Sequence, residues 1–141
     1  MKKMKYRTID HISDFGLQIF ASDLKTLFAD AAHAMIDQIT DINRLKGLNE
    51  YHVHVTGSDR SDLMVNWLRE VLYLWTGEEK LVKRARILSL SENELSAEVM
   101  YDTYEPDRHI IKNEIKAVTY HQIQVKNLPD GRWMSQIIFD V

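Results

Sequence analysis

A chain of 141 residues with 45% hydrophobic content has the length of one domain, and folding at this size removes roughly two thirds of the unfolded chain's accessible surface from water. Against 21 Asp and Glu there are 18 Lys and Arg, a formal net charge of −3 that supplies no global electrostatic reason to hold a polyphosphate. Cysteine is absent, which excludes disulfides, thiolate zinc ligands and a cysteine nucleophile, and leaves chemistry to Asp, Glu, His, Lys, Ser and Thr.

The basic opening Met1-Lys2-Lys3-Met4-Lys5 runs into polar residues instead of the apolar stretch of a signal peptide. No later segment is long and apolar enough to span a bilayer, so the expectation is a cytoplasmic protein with no membrane partner. Tyr6 to Ile9 and Leu17 to Ala21 read as two strands around the turn Asp10-His11-Ile12-Ser13-Asp14-Phe15-Gly16. From Leu24 the pattern changes: Leu24, Leu27, Phe28, Ala31, Met35, Ile36 and Ile39 recur every three or four residues, an amphipathic helix with Ser22 or Asp23 as its cap. Asp41 to Asn49, with Asn43 and Gly47, reads as an exposed connection long enough for local disorder.

Tyr51 to Thr56 alternates, placing Tyr51, Val53 and Val55 on one face and the two histidines, His52 and His54, on the other. Leu63, Trp67, Leu68, Val71, Leu72 and Trp75 then form the stripe of a second helix, capped by Ser58 or Asp59 and ended at Thr76-Gly77. Strands are expected over Leu81 to Leu90 and Leu95 to Tyr101, joined antiparallel through Ser91-Glu92-Asn93-Glu94. A charged loop from Asp102 to Asn113 leads to strands over Ile115 to Leu128 and Trp133 to Val141, and Asp130-Gly131 between them predicts a tight hairpin. Hairpins dominate and crossovers are few. That order predicts a single α+β domain over 1–141, a two-layer sandwich with a mostly antiparallel or mixed sheet covered by two amphipathic helices.

Three constellations carry chemistry. Asp10 and Asp14 in the first turn, Asp140 and the Val141 carboxylate are hard oxygen donors suited to a divalent cation, provided the two ends of the chain meet. Turn chemistry alone also accounts for Asp10 and Asp14, since Asp accepts local amide hydrogen bonds. His52 and His54 share a strand face and could bind zinc only with a third ligand from elsewhere; a solvated face is the simpler reading. Within Glu114 to His121 a regular strand points Lys116 and His121 to opposite sides, against a catalytic pair unless a bulge intervenes. No phosphate-cradling glycine loop, nucleophile elbow or zinc-hydrolase helix motif is present.

Taken in order, Asp10 to Gly16, the following helix, Leu68-Arg69-Glu70-Val71-Leu72-Tyr73, Lys116-Ala117-Val118-Thr119-Tyr120-His121 and the terminal Phe139-Asp140-Val141 closely resemble the archease family. The resemblance spans nearly the whole chain, as one archease-like domain. It implies an accessory protein of the tRNA-splicing ligase RtcB without catalytic residues of its own, promoting GTP-dependent guanylylation of the ligase and repeated RNA ligation. It also implies Asp14, Asp140 and the C-terminal Val141 as ligands of a divalent ion, calcium, magnesium or manganese. His11, Lys116 and His121 match family motif positions as supporting or partner-contact residues, and RNA is met only through the ligase. Two other classes remain open on the residues: a small metal-dependent hydrolase using the same carboxylates with His11 or His121 as base, and a chaperone-like interaction module.

Overall fold

The computed structural model describes residues 5–10 and 14–141. Among these, eight strands and two α-helices form: β1 (Tyr6–Asp10), β2 (Asp14–Ala21), α1 (Leu24–Ile39), β3 (Asn49–Thr56), α2 (Arg60–Thr76), β4 (Lys80–Leu90), β5 (Glu94–Thr103), β6 (Ala117–Val118), β7 (Gln124–Asn127) and β8 (Trp133–Asp140). All strand pairs are antiparallel. They fall into two sheets, β1-β2-β8-β6 with β7 also on β8, and β3-β5-β4.

Each helix begins where an Asp side chain takes up an amide that the helix cannot bond internally. Asp23 accepts from Thr26 N and Asp59 from Asp62 N, both at 2.8 Å, and such a cap stabilises a helix by about 1 kcal/mol. Both helices touch both sheets, which the single stripe expected from sequence does not provide for. Hence α1 buries Ala32 and Ala34 as well as Leu27, Phe28, Ala31, Met35, Ile36 and Ile39. Small residues let its backbone approach a second layer. Trp67 of α2 fills the centre, fully buried, and its indole N–H donates to Phe28 O at 2.8 Å, so the largest core side chain also leaves its one polar atom satisfied.

The α+β sandwich is therefore present, with its sheet divided in two. Three local expectations need correction. The connection over Asp41 to Asn49 is held in place: a 3-10 turn at Ile42–Arg44 buries Ile42 and Leu45, and Asp102 accepts hydrogen bonds from Lys46 N and Leu48 N. Asp14 and Gly16 belong to strand β2 rather than to a turn; Gly16 is packed so closely that an added Cβ would lie 2.8 Å from Ile138 Cδ1. The strand expected over Ile115 to Leu128 is broken after Val118. Thr119 turns back to bond Ile138 O through both N and Oγ1, and Gln122 takes φ 52° before β7 begins.

Candidate functional site

Strand register decides what the start of β2 and the end of β8 can do together. β2 and β8 pair with Asp14 directly opposite Asp140 and Phe15 opposite Phe139, while β6 on the other side of β8 sets Ala117 opposite Asp140. Directly opposed residues have Cβ atoms about 4.5–5.5 Å apart and share a sheet face. The alternation of burial assigns the faces. Leu17, Ile19, Ile137 and Phe139 are fully buried toward the helices, so Asp14, Gly16, Gln18 and, across from them, Asp140, Ile138 and Gln136 take the outer face. Gln18 donates to Gln136 at 2.9 Å on that face. At its end two carboxylates stand side by side, which costs free energy as like charges unless a cation or donor lies between them. Asp140 is exposed, whereas Asp14 is half-buried with Oδ1 shielded from solvent.

The inner side of the same end has an apolar wall beside polar groups. The Phe15 and Phe139 rings lie 6.2 Å apart, and Val141 joins Phe15, Gln38, Asn113, Glu114 and Ile115 around a cleft of ≈ 250 Å³. Its floor is fixed because the segment before β6 is bonded to the C-terminus of α1: Lys112 N donates to Ile39 O at 2.7 Å, Thr40 Oγ1 to Ile110 O at 2.7 Å and Asn113 Nδ2 to Gln38 O at 2.8 Å.

The structure thus brings Asp14, Asp140 and Val141 to one end of the β2–β8 pair, the two carboxylates on its outer face and Val141 at the inner cleft. Lys116 is on the adjoining strand edge, its backbone N–H donating to Asp140 O at 2.8 Å, but alternation from Ala117 turns its side chain to the other face, where it lines a shallow cleft with Arg69, Leu72 and Tyr73 of α2. His121 is exposed in the turn after β6, its N–H on Thr119 Oγ1 at 3.2 Å, so the regular-strand geometry assumed for it and Lys116 does not apply. His11 lies outside the described residues. On β3, His52 and His54 face solvent opposite Glu98 and Ser96, and Tyr51 falls on the Val53 and Val55 side, although still 38% exposed at the sheet edge.

A further group of side chains escaped sequence reasoning because its members are far apart in the chain. Tyr120 donates its hydroxyl to Asp62 Oδ1 at 2.5 Å, and Arg69 stacks 4.7 Å over the Tyr120 ring while its Nε donates to Val118 O at 3.1 Å. The hydrogen bond from Tyr120, joined by the amide of Ser58, holds the Asp62 carboxyl below its ordinary range, and the same bond raises the Tyr120 phenol. The only sequence signal was indirect: Arg69 and Tyr120 sit in the two motif blocks that carried the resemblance, and here those blocks touch.

Fold and site together define a small α+β fold of two antiparallel sheets in which the start of β2 and the end of β8 meet at an acidic tip. The model of the Archease protein family (MTH1598/TM1083) matches residues 6–141, and the chain belongs to that family. Curated relatives called protein archease include those of Thermoplasma acidophilum, 36% identical with 99% of this chain and 96% of the relative covered, and Methanosarcina acetivorans, 33% identical with 97% and 96% covered. The solution structure of Methanobacterium thermoautotrophicum protein 1598 superposes with a TM-score of 0.79 at 26% identity, covering 96% of this chain and 98% of that one. A Thermotoga maritima archease described as a possible chaperone has a TM-score of 0.63 at 19% identity, covering 100% and 98%; that likeness bears on the fold alone.

Proposed function

We propose that this chain is a non-catalytic accessory protein that activates the RNA ligase RtcB, promoting its guanylylation by GTP and its repeated turnover in tRNA splicing through a divalent cation held at the acidic tip. The observation that carries the reading is the register of Asp14 opposite Asp140 beside the chain end. Two carboxylates and a terminal carboxylate are hard oxygen donors of the kind calcium, magnesium and manganese take. Among the described residues no three His, Cys, Asp or Glu side chains gather as a metal cluster, so in this reading the Val141 carboxylate, backbone oxygens and water complete the ligand set. A cation there offsets the repulsion between the carboxylates and presents positive charge to a nucleotide phosphate. Asp14 and Asp140 hold that charge in place, and the neighbouring cleft with its apolar wall offers the ligase a surface to seat against. No helix among the described residues is long and apolar enough to cross a membrane.

The purified chain added to its cognate RtcB with GTP and divalent metal raises the rate of ligase guanylylation and the number of ligation turnovers. Asp14→Ala and Asp140→Ala lose that stimulation with unchanged circular dichroism. Absence of stimulation, or two fully active variants, would sink the reading. A chaperone-like module, the description given to the Thermotoga maritima relative, predicts instead that both variants keep full effect and that calorimetry finds no metal binding dependent on either carboxylate.

A further inference from the structure

A second cleft, of ≈ 220 Å³, shares no residue with the acidic tip; it lies where the connection after the 3-10 turn meets the loop after β5. Its floor is Asp102, 7% exposed. Both oxygens of that carboxylate are engaged by backbone amides, Lys46 N at 2.6 Å and Leu48 N at 3.0 Å. The chain turns between them because Gly47 adopts φ +70°, a left-handed conformation open to glycine. Asp102 is accordingly spent as a clamp. It is not free to ligate a metal, and its charge is largely answered from within the fold.

One wall is a tight turn from Glu105 to His109. Arg108 N and His109 N both donate to Glu105 O at 2.9 Å, and Glu105 N returns a hydrogen bond to His109 Nδ1 at 2.9 Å. With Nδ1 accepting, the neutral imidazole carries its proton on Nε2. His109 is 7% exposed, and its ring is fixed by stacking on Tyr104, 6.1 Å away, which in turn meets Trp75 edge-on at 5.2 Å. Among the described residues no hydrogen bond satisfies that Nε2–H, although His109 lines the cleft. That N–H opens onto the cleft from a ring that is otherwise packed away, and the natural complement of a donor fixed in this way is an anionic oxygen.

The rim supplies the charge. Arg44, Lys46 and Arg108 line the opening against Glu105, which pairs with Arg108 at 3.3 Å across two exposed side chains. Such an exposed pair is worth about 0–1 kcal/mol and opens readily to a stronger anion. The volume is below the roughly 300–1,000 Å³ of cavities that enclose whole drug-sized ligands, so the cleft fits one tetrahedral oxyanion with attendant water. We propose that this cleft binds a phosphate group, with His109 Nε2–H as the fixed donor in its wall and Arg44 and Arg108 as the charge that draws the group in.

The full chain, titrated with sodium phosphate at constant ionic strength, should show a saturable shift of the His109 imidazole resonances that sodium chloride does not produce. Arg44→Gln and Arg108→Gln, both at exposed positions, should each weaken binding about tenfold or more with unchanged thermal melts. The source of the phosphate is read from a second titration with a 5′-phosphorylated RNA dinucleotide. Binding at least tenfold tighter than inorganic phosphate assigns the cleft to a nucleic-acid terminus, and equal or weaker binding assigns it to free phosphate. No saturable shift, an equal response to chloride, or unchanged affinity in both arginine variants overturns the proposal.

Discussion

Asp102→Asn removes one oxygen and leaves a shape of nearly the same size, so it isolates what the carboxylate contributes. In the native fold the two oxygens accept from Lys46 N and Leu48 N at 2.6 and 3.0 Å, and the side chain is 7% exposed. Asparagine has one acceptor oxygen, so its amide NH₂ must face the other backbone N–H, donor against donor. Leaving that buried amide unsatisfied costs about 1–3 kcal/mol, and the surviving bond drops from a charge-assisted to a neutral one, a further loss of about 1 kcal/mol. The expected destabilisation is about 2–4 kcal/mol, a fall in Tm of roughly 4–16 °C for a domain near this size. Urea denaturation from pH 7 downward checks the origin as well as the size. Burial acts to raise the Asp102 pKa, but the amides of Leu48, Lys46 and Gly47 outweigh it and hold the group below its ordinary value of 3.8. A depressed folded pKa means that the stabilisation is present above pH 3.8 and is lost as pH falls from there through the folded pKa. The gap between wild type and Asp102→Asn must therefore narrow only in that acid range. A gap below about 0.5 kcal/mol at pH 7 would refute the clamp. So would one that shrinks already near pH 6.

Two other outcomes follow from the packing. His33, half-buried in α1, has its pKa lowered by burial, with Lys83 adding to the effect and Asp37 opposing it, so the unfolded chain takes up a proton at higher pH than the fold does. Stability therefore falls as pH drops below the unfolded value of 6.5, and His33→Gln should lose less stability than wild type between pH 7.5 and 5.5 in urea melts. Gly57→Ala should cost about 1–3 kcal/mol and more than Gly16→Ala, because the new Cβ meets the α2 backbone at Leu63 N, 2.6 Å away, where Gly16 meets the movable end of the Ile138 side chain; thermal melts of the two variants rank them.

Local pattern determined the order of helices and strands through β5, the hairpins at Ser91 to Glu94 and Asp130-Gly131, and the apolar stripes of both helices, because these depend on turn residues and on residues two, three or four apart along one element. The acidic residues at both ends of the chain were also legible as chemistry. Whether they meet was not, since no local pattern records that β2 and β8 pair with Asp14 across from Asp140. Long-range pairing likewise decided that the sheet splits in two and that each helix serves both halves. It decided that Asp102 ties down a connection whose composition suggests disorder, and that Tyr120 reaches Asp62 across 58 residues of chain. The physical reason is common to all of these. Propensity and pattern act within a few residues, whereas register and side-chain satisfaction are fixed only when distant segments share one core and each buried polar group must find its partner there.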